Sequence, residues 1–324
     1  MRWRSMASAV VTALIAAACG TIAPVPPAPA TSELYLANNG NNSVTVYAAS
    51  ATGNIAPIRT ISGGFTLLSN PLWLALDGAA NLYVTNAAAN SVTVYAVGAN
   101  GNVAPIRTIF GGATGLNGPT GVALDGAGNL YVANFFPLPI PTSRVTVYAP
   151  GANGNAAPIR TISGAATGLN VPFDLVVDGL GTLYVANSAG NSVTVYAPGA
   201  TGDVAPTRSI SGVATGLLGP TGVALDGANN LYVTNPIGVN HSVTVYAAGA
   251  SGDVAPIRTI SGGSTGLNSP RGVVLDGSGA LFVANGNNSV TVYAAGATGN
   301  AAPIRTISGA STGLNNPVGI ALRP

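Results

Sequence analysis

The string VTVY occurs six times, with its tyrosine at positions 47, 95, 148, 196, 246 and 293, so successive copies lie 48, 53, 48, 50 and 47 residues apart. A near-constant period of this length constrains the fold more than any other feature. Each period must be one supersecondary unit that buries its apolar surface against its neighbours. A typical unit, residues 119–170, reads P-T-G-V-A-L-D-G-A-G-N-L-Y-V-A-N, then V-T-V-Y-A, then A-P-I-R-T-I-S-G, then a Gly/Thr/Leu/Asn connection to the next proline. Four short runs rich in β-branched and aromatic residues stand out: GVALD, LYVAN, VTVY and PIRTI, here strands a, b, c and d. Asp-Gly, Asn and Gly separate them, as consecutive hairpins require.

Four strands in about 40–50 residues is the size of one propeller blade. A β-helix would use a shorter period, and an immunoglobulin-like sandwich would not repeat itself. The chain ends point to a ring. The first run is a strand b, Leu34 to Asn38, and the last is an orphan strand a, Val318 to Leu322. The expected fold is therefore all-β: a six-bladed β-propeller over residues 34–324 with four antiparallel strands per blade. Its ring is closed by the C-terminal strand joining the N-terminal blade, which leaves no open sheet edge at the seam. Composition agrees. Hydrophobic residues make up 47% and charged residues 6%, as expected of strands buried on both faces.

The P-x-G-V-A-L-D-G-x-G-N-L-Y-V-A-N…V-T-V-Y unit resembles the NHL repeat, over roughly residues 34–322. The resemblance implies a propeller. For function it implies several classes, since NHL-like propellers include protein-binding and RNA-binding modules and related propellers include lactonases and lyases. This chain departs from the pattern in having Asn rather than Asp after strand b and almost no charge around strand c, which argues against charged ligand-binding modes.

Residues 1–19 read as a secretion signal, with Arg2 and Arg4 before the short apolar stretch 7–18. The only cysteine, Cys19, follows Ala16-Ala17-Ala18. This resembles the lipobox of bacterial lipoproteins, which implies acylation of Cys19. The other reading is ordinary signal cleavage with Cys19 incidental. Residues 20–33 hold prolines at 24, 26, 27 and 29 and read as an extended, stiff tether. The expected location is outside the cytoplasm, at the bacterial cell envelope, with the membrane touched only through the lipid anchor. Once Arg2 and Arg4 leave with the leader, nine arginines face nine acidic residues, and lysine is absent throughout. Nucleic-acid binding needs a basic field to displace counterions from phosphates, so that class is set aside.

Three residue types recur once per blade. Asp77, Asp125, Asp178, Asp226 and Asp276 start the a–b turns, with Arg323 at the sixth equivalent position. They read as Asp-Gly turn carboxylates rather than as a cation ring. Asn38, Asn86, Asn134, Asn187, Asn235 and Asn285 end strand b and read as turn residues. Arg59, Arg107, Arg160, Arg208, Arg258 and Arg305 sit in the outermost strand d and read as charges that block edge-to-edge aggregation.

Positions that break the repeat are where function can have been added. Trp73 and Asp174 replace the glycine of P-x-G; Phe173 and Arg271 stand at x; and the b–c connection is enlarged at Phe135 to Thr142, which includes Phe136, and again before His241. The d–a and b–c connections of a four-stranded blade share one face of the disc, so all these departures fall on that loop face. Trp73, Phe135, Phe136 and Phe173 are the expected aromatic anchors, with Asp174, His241 and Arg271 as polar partners. The alternative is drift, with Trp73 and Phe173 as plugs of the central channel. The sequence predicts a monomeric binding or scaffold module for a protein, peptide or small polar ligand, with no metal and no cofactor. A lactonase-like or lyase-like enzyme is the competing reading; the inventory for it is thin, one histidine and few unrepeated carboxylates.

Overall fold

Each repeat folds into one four-stranded antiparallel sheet, and six such sheets form the blades of a β-propeller. The computed structural model describes residues 32–135, 143–238 and 241–323. Cys19, the segments read as signal and tether as far as residue 31, and Phe136 with the rest of its insertion lie outside the described residues. Blade 1 is assembled from both ends of the chain: Pro317–Arg323 as strand a, Glu33–Asn38 as b, Ser43–Ala48 as c and Arg59–Ser62 as d. Blades 2 to 6 follow in order, with inner strands Pro71–Leu76, Pro119–Leu124, Pro172–Val177, Val223–Leu225 and Pro270–Leu275.

The apolar strands are explained by six core layers, each lying between two blades. One layer joins Tyr35, Val44, Val46 and Ile61 of blade 1 to Leu74, Leu82, Val84 and Tyr95 of blade 2. Both faces of every strand b and c are thus buried, and the sequence runs apolar without alternation. The tyrosine of VTVY lies in this core and is fully satisfied: the Tyr148 hydroxyl donates to the Thr114 carbonyl at 2.7 Å. Burial pushes these phenols up to about 12.

The outer edge of each blade is covered. The segment between strands c and d descends the rim and pairs with strand d of the preceding blade. Gly101 of blade 2 bridges to Ile61 of blade 1, and the same bridge recurs round the ring to Gly53 and Ile307. Strand d is therefore not a bare edge, and its arginine is not an edge charge. Each guanidinium instead lies over the ring of the aromatic residue in strand b, Arg107 over Tyr83 at 5.5 Å and Arg160 over Tyr131 at 5.7 Å, an attractive cation–π geometry. The strand-b asparagines are not left-handed turn residues either. Asn86 is buried in the ladder; its Nδ2 donates to Thr93 Oγ1 at 3.0 Å and its Oδ1 accepts the Ser69 amide at 3.0 Å. Each asparagine clamps the incoming d–a connection, and the left-handed positions fall to Asn42, Asn90, Asn191 and Asn288 in the b–c turns.

Closure of the ring is marked by charge. Strand b of blade 1 begins at Glu33, one residue before the boundary read from the sequence, and Glu33 pairs in register with Arg323 of the last strand. Its carboxylate takes both Arg59 nitrogens, at 2.8 and 2.7 Å, the Tyr35 hydroxyl at 2.6 Å and Arg323 at 3.4 Å. The hydrogen bonds from Arg59 dominate and outweigh burial, holding the carboxyl down at about 2. Where other blades place an aspartate at the end of strand a, blade 1 has Arg323, and Glu33 supplies the carboxylate from the strand beside it.

Candidate functional site

Strand a carries the axis of the ring. In five blades its pairing with strand b slips at the P-x-G step: Pro71 opposes Asn86, yet Leu74 opposes Val84, with like irregularities in blades 1, 3, 4 and 6. Bulges of this kind re-aim the side chains they carry. In four blades the third position is glycine for want of room. A Cβ on Gly121, Gly222, Gly272 or Gly319 would stand 2.7, 2.1, 2.5 or 2.5 Å from backbone atoms of the next inner strand. Trp73 and Asp174 occupy that position in blades 2 and 4, and each is only 3% exposed.

Trp73 and Phe173 meet edge to face across the axis, with ring centroids 5.5 Å apart and an interplanar angle of 81°. Behind them lies a cavity of about 250 Å³ bounded by all six inner strands, with Trp73, Asp174, Leu124, Val223, Val273 and Ile320 among its walls. Exposure rises along strand a away from the proline: Pro71, Trp73 and Leu74 are buried, whereas Ala75 and Leu76 are half-exposed, and blades 3, 4 and 6 follow suit. Trp73 thus walls the cavity towards its loop-face end, and the inner strands are more exposed towards the a–b turns.

Asp174 is the one ionisable side chain of that wall. Its Oδ2 accepts the Val223 amide at 2.9 Å. Blade 5 starts irregularly at this point: the Thr221 amide bonds to the Thr234 carbonyl and the Gly222 amide to Thr234 Oγ1, and the inner strand is shortened to Val223–Leu225. Burial raises the Asp174 carboxyl to about 8, against the pull of the Val223 and Leu175 amides and the Trp73 indole N–H. Among the described residues it has no cationic partner, since both ion pairs converge on Glu33. At neutral pH it is mostly protonated.

The mouth is acidic. Asp77, Asp125, Asp178, Asp226 and Asp276 surround it in the a–b turns, and each Oδ1 accepts the amides two and four residues on, as Asp77 does from Ala79 at 2.9 Å and Asn81 at 2.8 Å. The turn reading of these residues holds in the geometry. Outside them stand the strand-b tyrosines and then the strand-d arginines, with Arg107 donating to the Tyr83 hydroxyl at 2.7 Å. Among the described residues no three His, Cys, Asp or Glu side chains gather as a metal-binding set.

The structure therefore brings together Trp73, Phe173 and Asp174 but not on an open loop face. Trp73 and Asp174 point into the axis because the bulge turns them inward, so neither offers a surface contact. Arg271 is half-buried at the loop-face end, where its guanidinium donates to Asn316 Oδ1 at 2.8 Å and burial lowers its pKa. Phe135 and His241 flank strands b and c of blades 3 and 5 and do not line the cavity. The signal that finds the site in the sequence is the missing P-x-G glycine. The acidic mouth and the seam carboxylate Glu33 carry no such break.

No family model matches the chain and no curated protein of similar sequence is found, so the likeness to the NHL unit rests on the repeat itself. Solved structures match by fold. A protein of unknown function from Bacteroides caccae is 10% identical with a TM-score of 0.65, covering 90% of this chain and 98% of its own. The periplasmic gluconolactonase of Pseudomonas aeruginosa is 15% identical with a TM-score of 0.61 and coverages of 90% and 99%. A streptogramin B lyase is 12% identical with a TM-score of 0.53 and coverages of 89% and 91%. At these identities the likeness is one of fold.

Proposed function

We propose that this chain is an exported binding module, tethered at the bacterial cell envelope through acylated Cys19, that takes a small ligand into its axial cavity from the a–b turn face. The observation that carries the reading is an axial cavity bounded by all six inner strands and walled in part by one buried carboxyl, Asp174. Concave sites with a few convergent polar groups, among them a group of shifted pKa, are where small ligands usually bind. The loop face supports a ligand poorly, because its aromatic rings are spent on each other. Trp73 is the only tryptophan after residue 3, so in the exported chain tryptophan fluorescence reports on the cavity wall. A ligand that enters should shift that emission, and Ala123→Phe, which adds bulk at the cavity wall, should weaken or abolish the shift while thermal melting stays cooperative. Unchanged binding by a folded Ala123→Phe variant rules the axial site out. For the anchor, Cys19→Ala should move the protein from the membrane to the soluble fraction; continued membrane association after washing contradicts acylation.

A second reading is favoured by one observation. Asp174 has a carboxyl poised near neutrality, the range in which a general acid or base works best, and solved structures of like fold include a gluconolactonase and a lyase. Lactone hydrolysis abolished by Asp174→Asn would establish it.

A further inference from the structure

We infer that the propeller lies with its a–b and c–d turns against the lipid surface, so that a whole face of the disc meets the membrane beside the acyl anchor. The inference rests on the Cys19 anchor proposed above and names the surface that the anchor brings to the lipid. The motif A-P-I-R-T-I sets an isoleucine ahead of the strand-d arginine in five repeats, with Thr207 in the sixth. The core does not use these side chains: Ile58, Ile106, Ile159, Ile257 and Ile304 are 51 to 58% exposed. One exposed isoleucine is ordinary, but the same one kept in five blades is not required by the packing. Their height on the disc is fixed by pairing. Arg59 opposes Val46, and the Ile58 amide donates to the Val46 carbonyl at 2.8 Å. Ile58 therefore stands beside the end of strand c, at the edge of the a–b and c–d turn face. The same bond recurs at the other four isoleucines. Equivalent residues of a ring share one level, and only a flat, extended surface meets all of them together. A compact partner would cover one or two blades.

Charge is distributed to match. The two-residue tips of the a–b and c–d turns hold only Ala, Gly, Pro and Ser besides Val97 and Leu180, which are 49 and 81% exposed. The aspartates behind them are half-buried and bonded into their own turns, and the strand-d arginines are half-buried against strand-b rings. Among the described residues the only exposed ionisable side chains are Asp203 and Asp253. Both cap turns of the opposite face, accepting the Ala166 and Ala214 amides at 2.7 Å. Taking a charge out of water is costly, so the face without exposed charge is the one a bilayer admits, and its exposed apolar side chains favour the interface. The chain also enters the fold here. The Ala49 amide, at a c–d turn tip, donates to the Ser32 carbonyl at 2.7 Å. Residues 20–31 span roughly 40 Å at full extension, enough for Cys19 to sit in the lipid while this face rests on it. The a–b end of the axis then lies at the lipid surface, and a ligand reaches the axial cavity from that side.

The test uses the acylated chain reconstituted in phosphatidylcholine vesicles. A single cysteine is added as Leu180→Cys, Val97→Cys or, on the opposite face, Ala89→Cys, and carries a fluorophore; Cys19 is blocked by its acyl group. Quenching by iodide in the water and by a nitroxide-bearing lipid is read for each, with melting as the check on folding. The labels at 97 and 180 should be quenched by the nitroxide lipid and shielded from iodide about threefold or more relative to the label at 89. Ile106→Asp with Ile257→Asp should reopen the label at 180 to iodide while the chain still floats with the vesicles. If the chain floats but the labels at 97 and 180 are as open to iodide as that at 89, the face assignment is overturned and the anchor stands. If the label at 180 is already shielded in the Cys19→Ala chain without vesicles, a second copy covers the face, and the lipid assignment is again overturned. A wild-type chain that does not float with the vesicles defeats the anchor reading and this inference with it.

Discussion

Glu33 and Asp174 are buried to nearly the same degree, 7% and 3% exposed, and stand in opposite electrostatic states. Glu33 lies where the two chain ends meet and is met by two arginines and a tyrosine; its carboxyl is held at about 2. Asp174 lies on the axis, is met by backbone amides and an indole, and is raised to about 8. Burial alone therefore says little about a carboxylate. What surrounds it decides whether it is held charged or held neutral.

The largest effect should come from removing the Glu33 partner. Arg59→Ala leaves a buried carboxylate short of its main donor and should cost about 3 kcal/mol of stability by denaturant unfolding, the usual result of breaking a buried pair. The pH dependence has a definite sign. Glu33 has its folded pKa below the unfolded value of about 4.3, so its contribution is full above about pH 5 and drains away as pH falls towards 2. In the unmodified chain stability should fall over that window, and in Arg59→Ala the fall should be shallower. An unchanged profile would mean that the seam charges are ornamental.

Asp174 should behave with the opposite sign. Its folded pKa lies above the unfolded value of about 3.9, so the native state is favoured below pH 4 and penalised progressively as pH rises through 8. Asp174→Asn should therefore leave stability at pH 4 nearly unaltered and raise it at pH 8 to 9 by about 2 kcal/mol, given that one pKa unit is worth 1.36 kcal/mol and that full desolvation is seldom realised. Melting temperatures across this range check it; equal losses at both pH values would show that Asp174 is a structural hydrogen-bond acceptor and nothing more. The smallest effect should be at the mouth. Asp77→Asn keeps an acceptor oxygen for the Ala79 and Asn81 amides and should cost less than about 1 kcal/mol, which urea unfolding can resolve.

The ring was open to reading because its evidence is repeated six times. VTVY, the Asp-Gly turns and the orphan Val318 to Leu322 strand all point to one topology, and both-face burial accounts for the apolar runs. The site was half legible. Trp73 and Asp174 announce themselves as missing glycines, yet the direction in which they point depends on a bulge in their own strands. Nothing in the string of letters around Asp174 says that its side chain turns inward rather than out to the loop face. Glu33 is a different kind of miss. It stands next to the proline-rich segment and so reads as tether, while Arg323 reads only as an absent aspartate. The two departures are one feature, visible once the chain ends are paired. The strand-d arginines were misplaced for a similar reason: the c–d segment that covers their edge belongs to the next repeat.

That last arrangement makes no repeat self-sufficient. The cover for the rim of each blade is written in the repeat that follows it, and the cover for blade 6 is written at the start of the chain, where Gly53 meets Ile307. The unit of inheritance is therefore out of step with the unit of architecture. A duplication spanning one sequence period, wherever it begins, inserts a blade that already carries the lid for its predecessor and finds its own in its successor, so the number of blades can change without any new edge having to be invented.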